Sequence, residues 1–287
     1  MSEHDNELGI FLRDRREAVT PAEVGLPAGG RRRTPGLRRA ELATLAGVSV
    51  EYLTRLEQGR DRRPSAPVLS ALADVLRLGL SERVHLYRLT KAVEGFSCTG
   101  GDAPPPPVRA VRPTVEALLA RLEPTPAVLV NRLSEVIAHT EGYARLVGPL
   151  GLLDGAPPNL ARFVFTDDRA RTVFPDWEHV ADQQVAALKQ GPFRGDAHMA
   201  ALADELTVAA GAAFAGRVAT VPGLPSPSGV TRLVHPEAGE LRLAYETLDL
   251  TADDQRVLVH LPADEATAAA VDRLSGAGSR ALRAVPA

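Results

Sequence analysis

Residues 38–63 read RRAELATLAGVSVEYLTRLEQGRDRR, a stretch with arginines at both ends and small apolar residues in its middle. Gly47 permits a left-handed turn that ends one helix, and Ser49 is a favourable N-cap for the next helix. The residues predicted to pack the two helices together are Leu42, Ala43, Leu45, Ala46, Val48, Leu53 and Leu56. A glycine turn, a serine cap and small contact residues at this spacing predict a helix-turn-helix.

The second helix of such a pair enters the major groove of DNA. The side chains predicted to face base edges are Val50, Glu51, Thr54 and Arg55. Arg55 is suited to bidentate hydrogen bonding with guanine, and Glu51 can accept a hydrogen bond from a cytosine amino group. Val50 can contact a thymine methyl group. Double-stranded operator DNA is therefore the predicted partner.

Phosphate contacts would hold these helices on the duplex without reading its sequence. The residues predicted to make them are Arg39, Ser49, Arg60, Arg62 and Arg63. An ordinary helical hairpin with solvated arginines is the alternative. Arg31, Arg32 and Arg33 are equally compatible with a DNA backbone contact and with a solvated basic loop. Arg16 and Glu57 fall on inward faces, which predicts a partly buried ion pair rather than a DNA contact.

The charge of the chain changes sign along its 287 residues. Residues 8–63 hold 12 Arg and 7 acidic residues, whereas residues 97–287 hold 17 Lys or Arg and 23 acidic residues. One segment is thus basic and the remainder acidic, which suggests different partners. A single cysteine, Cys98, and the lack of a signal peptide or membrane-spanning run at the N-terminus predict a cytoplasmic protein without membrane contact.

Composition also predicts the domain boundaries. Residues 97–114, SCTGGDAPPPPVRAVRPT, contain four consecutive prolines and are expected to form an extended linker. Residues 1–96 show helical periodicity throughout and predict an all-α domain of five helices. Residues 115–287 predict an α+β domain in which strands, helices and strands follow one another. Its expected antiparallel sheet carries helices on one face, with strands at AVLVN, EVIAHT, GVTRLVHP, GELRLAYETLDL and QRVLVHLP.

The chain resembles a known family in both halves. Residues 8–78, from LGIFLRDRREAV through GVSVEYLTRLEQGRDRR to ALADVLRL, resemble actinobacterial helix-turn-helix regulators of the xenobiotic-response-element (Cro/repressor-like) class. RFVFTDDRARTVFPDWEHVADQQVAALK, LVHPEAGELRLAYETLDL and DQRVLV resemble blocks of the MmyB-like ligand-binding domain. The resemblance implies a lambda-repressor-like first domain, a PAS-like second domain, a fatty-acid-type ligand and a homodimer. The family usually has Trp-Asn where this chain has His139-Thr140, and a Trp and a His that AAFAGRVATVP lacks.

Candidate ligand contacts in the second domain are apolar, with a few polar anchors. They are Phe163, Phe165, Arg171, Phe174, Trp177, His235 and Tyr245. Plain core packing is the alternative for the aromatic residues. A turn between strands is the alternative for His235, and a surface ion pair with Asp167 or Asp168 is the alternative for Arg171.

Catalytic motifs are absent from the sequence: there is no glycine-rich phosphate loop, no G-x-S-x-G, no H-E-x-x-H and no metal-ligand spacing among the histidines. We therefore expect no enzymatic activity, metal or cofactor, although a PAS-like domain also suits haem or flavin. Two functional classes remain open at this point. One is a ligand-responsive transcription regulator, and the other is a DNA-bound scaffold that acts through a protein partner without a small ligand.

Overall fold

The computed structural model describes residues 6–27, 36–61, 63–95, 106–190, 193, 196–221, 223–250 and 252–275. Contacts between residues divide the chain into two units. Unit 1 comprises residues 1–105, 185–204 and 215–225, and unit 2 comprises residues 106–184, 205–214 and 226–287. Among the described residues, no helix combines the length and apolar character needed to cross a bilayer.

Unit 1 begins with five α-helices, as the apolar periodicity predicts. They are α1 (Glu7–Ala18), α2 (Arg39–Leu45), α3 (Val50–Glu57), α4 (Ala66–Val75) and α5 (Leu80–Gly95). A 3₁₀ turn, Pro21–Val24, follows α1, and its capping box joins Thr20 to Glu23. The helices enclose one apolar core, whose members include Phe11, Leu12, Leu42, Leu53, Leu56 and Leu72. Most of the side chains that sequence periodicity places inward thus form a single cluster.

Unit 2 contains an antiparallel five-stranded sheet, with the strand order β2-β1-β5-β4-β3. The strands are β1 (Ala127–Asn131), β2 (Val136–His139), β3 (Ser228–His235), β4 (Gly239–Leu250) and β5 (Gln255–Pro262). β1 and β2 form one hairpin, and β3, β4 and β5 form a meander that pairs with β1 through β5. All five predicted strand segments are confirmed.

Eight further α-helices follow α5 among the described residues. They are α6 (Pro113–Leu122), α7 (Glu141–Val147), α8 (Leu160–Thr166), α9 (Ala170–Val173), α10 (Trp177–Leu188), α11 (Ala197–Ala210), α12 (Ala212–Thr220) and α13 (Glu265–Ser275). The boundaries between the units fall within α10, α11 and α12, so each of these helices contributes residues to both units.

The expectation that helices cover only one face of the sheet is wrong. Val115 and Leu119 of α6 pack against Leu129 of β1 and Val257 of β5. The cross-strand pairing of Val257 with Leu248 places these residues on the face opposite Leu241. All five residues of β1 are buried, as expected for a strand covered on both faces. β1 is only five residues long, so its sequence alone does not show that both faces of the strand are covered.

Candidate DNA-binding site and ligand-binding domain

The turn between α2 and α3 has the predicted geometry. Gly47 has a φ of 67°, in the left-handed region that glycine occupies without a steric penalty. The Val48 amide donates to the Ala43 carbonyl at 3.0 Å, which closes the end of α2. The Ser49 hydroxyl accepts from the Tyr52 amide at 3.0 Å and caps α3. The glycine, the corner residue and the serine therefore fix the entry of α3.

Packing of the two helices differs from the prediction at one position. Leu53 and Leu56 of α3 are fully buried, whereas Leu45 of α2 is 39 % exposed. The buried arc of α2 runs from Leu42 to Ala43 and is centred on Ala46. At 100° per residue, Leu45 lies outside that arc. Leu42 with the small Ala43 and Ala46, rather than a stripe that includes Leu45, therefore provides the contact face of α2.

The predicted base-reading side chains lie on the exposed side of α3. Val50 is exposed, and the side chains of Glu51 and Arg55 are 84 % and 45 % exposed. The Arg55 guanidinium lies 3.4 Å from the Glu51 carboxylate and 5.8 Å from the centre of the Tyr52 ring. Thr54 donates its hydroxyl hydrogen to the Val50 carbonyl at 2.7 Å. An exposed i,i+4 ion pair contributes little stability, so DNA can separate the pair at small cost.

The predicted phosphate contacts have different surroundings. Arg60 and Arg63 are exposed, and neither has an ion-pair partner within the described part of the chain. Arg39 is partly exposed and donates from Nε to the Glu57 carboxylate at 2.7 Å. Arg62 and the predicted basic segment at residues 31–33 lie outside the described residues. Base and phosphate assignments both stay predictions.

Glu57 forms the predicted buried ion pair with Arg16. Arg16 donates from Nε to Glu57 Oε1 at 2.7 Å and from Nη1 to the Leu37 carbonyl at 2.8 Å. Only 5 % of Arg16 and 1 % of Glu57 are exposed. Burial acts to lower the pKa of Arg16, but the hydrogen bond and charge of Glu57 act in the opposite direction, and the pKa is raised overall. The same carboxylate also lies 3.9 Å from Arg13, so three arginines surround it.

The predicted ligand residues include an aromatic cluster in unit 2. Phe165 contacts Trp177 and Phe214 edge to face, at centroid distances of 6.0 and 5.0 Å. Phe163 contacts Phe174 in the same manner at 6.3 Å. The Trp177 indole donates to the Val164 carbonyl at 2.9 Å, which satisfies its buried N–H group. The structure thus buries four predicted aromatic residues of the segment from α8 to α10 in two separate pairs of ring contacts.

Two arginines lie over rings of these aromatic residues. The Arg171 guanidinium is 3.8 Å from the centre of the Trp177 ring, a short cation–π distance. Arg169 lies 5.9 Å from the Phe163 ring and forms ion pairs with Asp154 and Asp167. Asp167 therefore pairs with Arg169, and Arg171 contacts an aromatic ring instead of forming the alternative surface ion pair with Asp167.

His235 and Tyr245 are placed by strands rather than by the aromatic helices. His235 is buried at the end of β3, and its Nδ1 accepts from the Glu237 amide at 3.1 Å, as the turn alternative predicts. Burial lowers the pKa of His235. Burial also raises the pKa of Tyr245, and a hydrogen bond with Ser226 acts in the opposite direction. Neither residue forms one of the ring contacts described for the aromatic cluster.

An open pocket of about 400 Å³ lies elsewhere in unit 2. It is lined by Arg145, Pro149, Glu237, Ala238, Ala270, Arg273 and Leu274. None of the seven predicted ligand residues lines this pocket. In the described part of the chain, no group of three or more histidine, cysteine or acidic side chains is placed to hold a metal ion.

Sequence reasoning missed two side chains in these regions, Phe214 and Lys189, and one contact of Arg39. Phe214 is fully buried and completes the aromatic contacts, but it stands alone in a run of small residues. Lys189 is also fully buried, although lysine is among the residues least often enclosed. Arg39 is partly exposed, as a phosphate contact requires, but it also binds the Glu57 carboxylate. Position in a helix indicates none of these contacts, because each partner is distant in sequence.

Comparisons with known proteins agree with this two-part organisation. A family model described as a helix-turn-helix domain matches residues 7–86. A second model, described as the MmyB-like transcription regulator ligand binding domain, matches residues 111–274. No curated protein matches the chain. Because the second model covers more than half of the 287 residues, the chain belongs to the family of MmyB-like transcription regulators, with a helix-turn-helix domain ahead of its ligand-binding domain.

Proposed function

We propose that this protein is a cytoplasmic, sequence-specific DNA-binding regulator whose DNA affinity responds to a small apolar ligand of the fatty-acid type. It acts by binding rather than by catalysis, and it needs no cofactor or metal. The observation that carries the proposal is the exposed face of α3, where Glu51 and Arg55 stand on a helix held by fully buried Leu53 and Leu56. A rigidly packed helix with exposed hydrogen-bonding side chains is suited to major-groove recognition.

DNA binding would combine base reading with phosphate contacts. Arg55 would contact guanine and Glu51 would contact a cytosine amino group, which supplies sequence preference. Arg60 and Arg63 follow α3 and are free of ion pairs within the described residues, so they suit phosphate contacts. Arg39 retains part of its guanidinium exposed beside Glu57 and would contact phosphate from the start of α2. The basic charge of residues 8–63 supports this division of roles.

The ligand proposal is supported by family membership and by the aromatic region of unit 2. Phe163 with Phe174, and Phe165 with Trp177, provide two buried pairs of edge-to-face rings. Arg171 lies over this region through Trp177 and carries the charge that a carboxylate would need. An amphiphile with an acyl chain and an acidic head group matches both features. A ligand would have to separate some of the edge-to-face contacts, so the site would open on binding.

We also propose that the protein binds its operator as a homodimer. One helix-turn-helix reads one half-site, and two copies are required for a two-fold operator. The sheet of unit 2 offers a surface for the second copy, because one of its faces carries exposed apolar side chains. These are Val230, Val234, Leu248 and Leu261, which are 37–49 % exposed. Their strand pairing places them on the same face, beside the part of the sheet that α6 covers.

The DNA-binding part is tested by selecting preferred duplexes from random DNA with the full chain. Arg55→Ala and Glu51→Ala should each relax preference at one base pair of the selected site, at a cost of about 1–3 kcal/mol there. Arg60→Ala should weaken binding to all sequences and flatten the salt dependence. Arg83→Ala is the matched control, because this exposed arginine pairs with Asp74 away from α3.

These binding measurements test the base-reading roles, the phosphate role and the homodimer separately. Equal losses on selected and random DNA for all three variants would overturn the division between base readers and phosphate contacts. A selected site that binds a single copy of the chain would remove the homodimer from the proposal, while leaving the DNA-binding function intact.

A further inference from the structure

Lys189 is a fully buried lysine whose ammonium group has three acceptors in unit 1. Its Nζ donates to the Val218 carbonyl at 2.9 Å and to the Val221 carbonyl at 2.6 Å. It also lies 3.2 Å from the Glu7 carboxylate. An ammonium group has three N–H donors, and here each has a partner. Complete satisfaction explains how a lysine can be buried with no exposed surface.

The ammonium group of Lys189 lies between two helix ends, each of which offers it acceptor oxygen atoms. Val218 lies in the last turn of α12 and Val221 directly follows this helix, at the end where backbone carbonyls lack helical partners and the helix dipole is negative. Glu7 is in the first turn of α1, where the dipole is positive and a carboxylate is favoured. Lys189 therefore joins the C-terminal end of α12 to the N-terminal end of α1. Gly223 lies so close to the Lys189 carbonyl that a Cβ atom would collide with it.

A further hydrogen bond connects the start of α1 to the end of α3, the proposed recognition helix. Asn6 precedes Glu7 and caps α1, since its side-chain oxygen accepts from the Gly9 amide at 3.0 Å. The same side chain donates from Nδ2 to the backbone carbonyl of Glu57 at 2.6 Å. Glu57 is the last residue of α3. Two adjacent residues thus have different partners: Glu7 binds Lys189, and Asn6 binds the end of α3.

The other side of the Lys189 contact leads to the aromatic residues. Lys189 directly follows α10, the helix that begins at Trp177. Val218 lies in α12, the helix that contains Phe214. Trp177 and Phe214 both contact Phe165. Because a helix transmits displacement along its length, movement of either ring would reach the ammonium site at the other end of that helix.

We propose that Lys189 is a regulatory latch that couples the aromatic region to the recognition helix through Glu7 and Asn6. This inference rests on the proposed function and names the contact through which it would operate. With the latch closed, the ends of α10 and α12 hold the N-terminus of α1, and Asn6 fixes the end of α3. A ligand that separates the aromatic rings shifts α10 or α12 and changes the position of α3.

The test compares the full-length protein with its Lys189→Met variant, which keeps the length of the side chain and removes its charge. Amide hydrogen exchange in residues 7–18 should accelerate by about tenfold or more, as expected when a buried charged hydrogen bond is lost. Affinity for the selected duplex should fall by about fivefold or more, the lower end of typical coupling between sites. Arg162→Met is the matched control, because it removes a cation that pairs with Glu205 and leaves α1 untouched.

Glu7→Gln provides a second variant if Lys189→Met does not fold, since it keeps both carbonyl contacts of Lys189. It should accelerate exchange in residues 7–18 in the same direction. Unchanged exchange in α1 for the folded variants, or an equal change in Arg162→Met, would overturn the latch. Failure of the wild-type protein to select any DNA sequence would overturn the proposed function instead, and the exchange measurement would still decide whether the contact holds α1.

Discussion

At the scale of single residues, Glu57 at the end of α3 is the carboxylate with the most charged neighbours among those described above. It binds buried Arg16, accepts from Arg39 and lies close to Arg13. The side chain of Arg16 is only 6 % exposed, whereas the side chains of Arg13 and Arg39 are 46 % and 41 % exposed. The stability of this site therefore depends mainly on the pair between Arg16 and Glu57, because water can solvate the charges of Arg13 and Arg39.

Glu57→Gln should lower the free energy of unfolding by about 3 kcal/mol, because it removes the buried carboxylate that pairs with Arg16 and leaves only the half-exposed Glu17 beside this charge. Glu17→Gln is the control, since Glu17 lies 3.2 Å from the same arginine but its side chain is 49 % exposed. Its effect should stay below about 1 kcal/mol. Urea unfolding followed by circular dichroism measures both values. Similar losses for the two variants would contradict the assignment of stability to the buried pair.

Some of these residue contacts were predictable from sequence and others were not. The pair between Arg16 and Glu57 was predictable because both charges fall on inward faces of amphipathic helices. The contact of Arg39 with Glu57 and that of Lys189 with Glu7 depend on which helix ends meet in three dimensions. Periodicity determines the face of a side chain, but it does not determine a partner from a distant segment.

At the scale of elements, the α2–turn–α3 segment follows from local chemistry. Gly47 ends α2 in a left-handed conformation and Ser49 caps α3, so both boundaries are encoded within three residues. The five strands were also predictable, because turn residues separate runs with strand periodicity. The position of α6 was not, since its apolar stripe fits either face of a sheet. Packing against Leu129 and Val257 determines the face that it covers.

Gly47→Ala should destabilise the protein by about 1–2 kcal/mol, the cost of a left-handed conformation for a residue with a Cβ atom. No atom lies within 4 Å of that Cβ position, so the effect isolates backbone strain from steric collision. Gly216→Ala is the matched control, because Gly216 lies inside α12 and its Cβ position is also free. Alanine there should stabilise by about 0.5–1 kcal/mol. Thermal unfolding measures both, and changes of the same sign would contradict this explanation of the turn.

At the scale of the whole molecule, the sequence and the structure divide the chain differently. Composition predicts a boundary at residues 97–114, and the two family models match on either side of residues 87–110. Contacts nevertheless group residues 185–204 and 215–225 with the helix-turn-helix. Composition detects a change in the chain, but it cannot detect that later helices pack on an earlier domain. This sharing of helices is the physical basis for proposing that ligand and DNA affinities are linked.

The most direct test measures the affinity of the full chain for its selected duplex with and without a stabilising ligand. The ligand is first chosen from C8 to C18 straight-chain acids and other lipophilic metabolites as a compound that raises the melting temperature. A compound that binds only the folded protein adds about 2.7 kcal/mol of stability at a hundredfold excess over its Kd. We predict that the same compound, at saturation, changes the Kd for the duplex by about fivefold or more. An unchanged Kd for the duplex at saturating ligand would contradict the account of a ligand-responsive regulator.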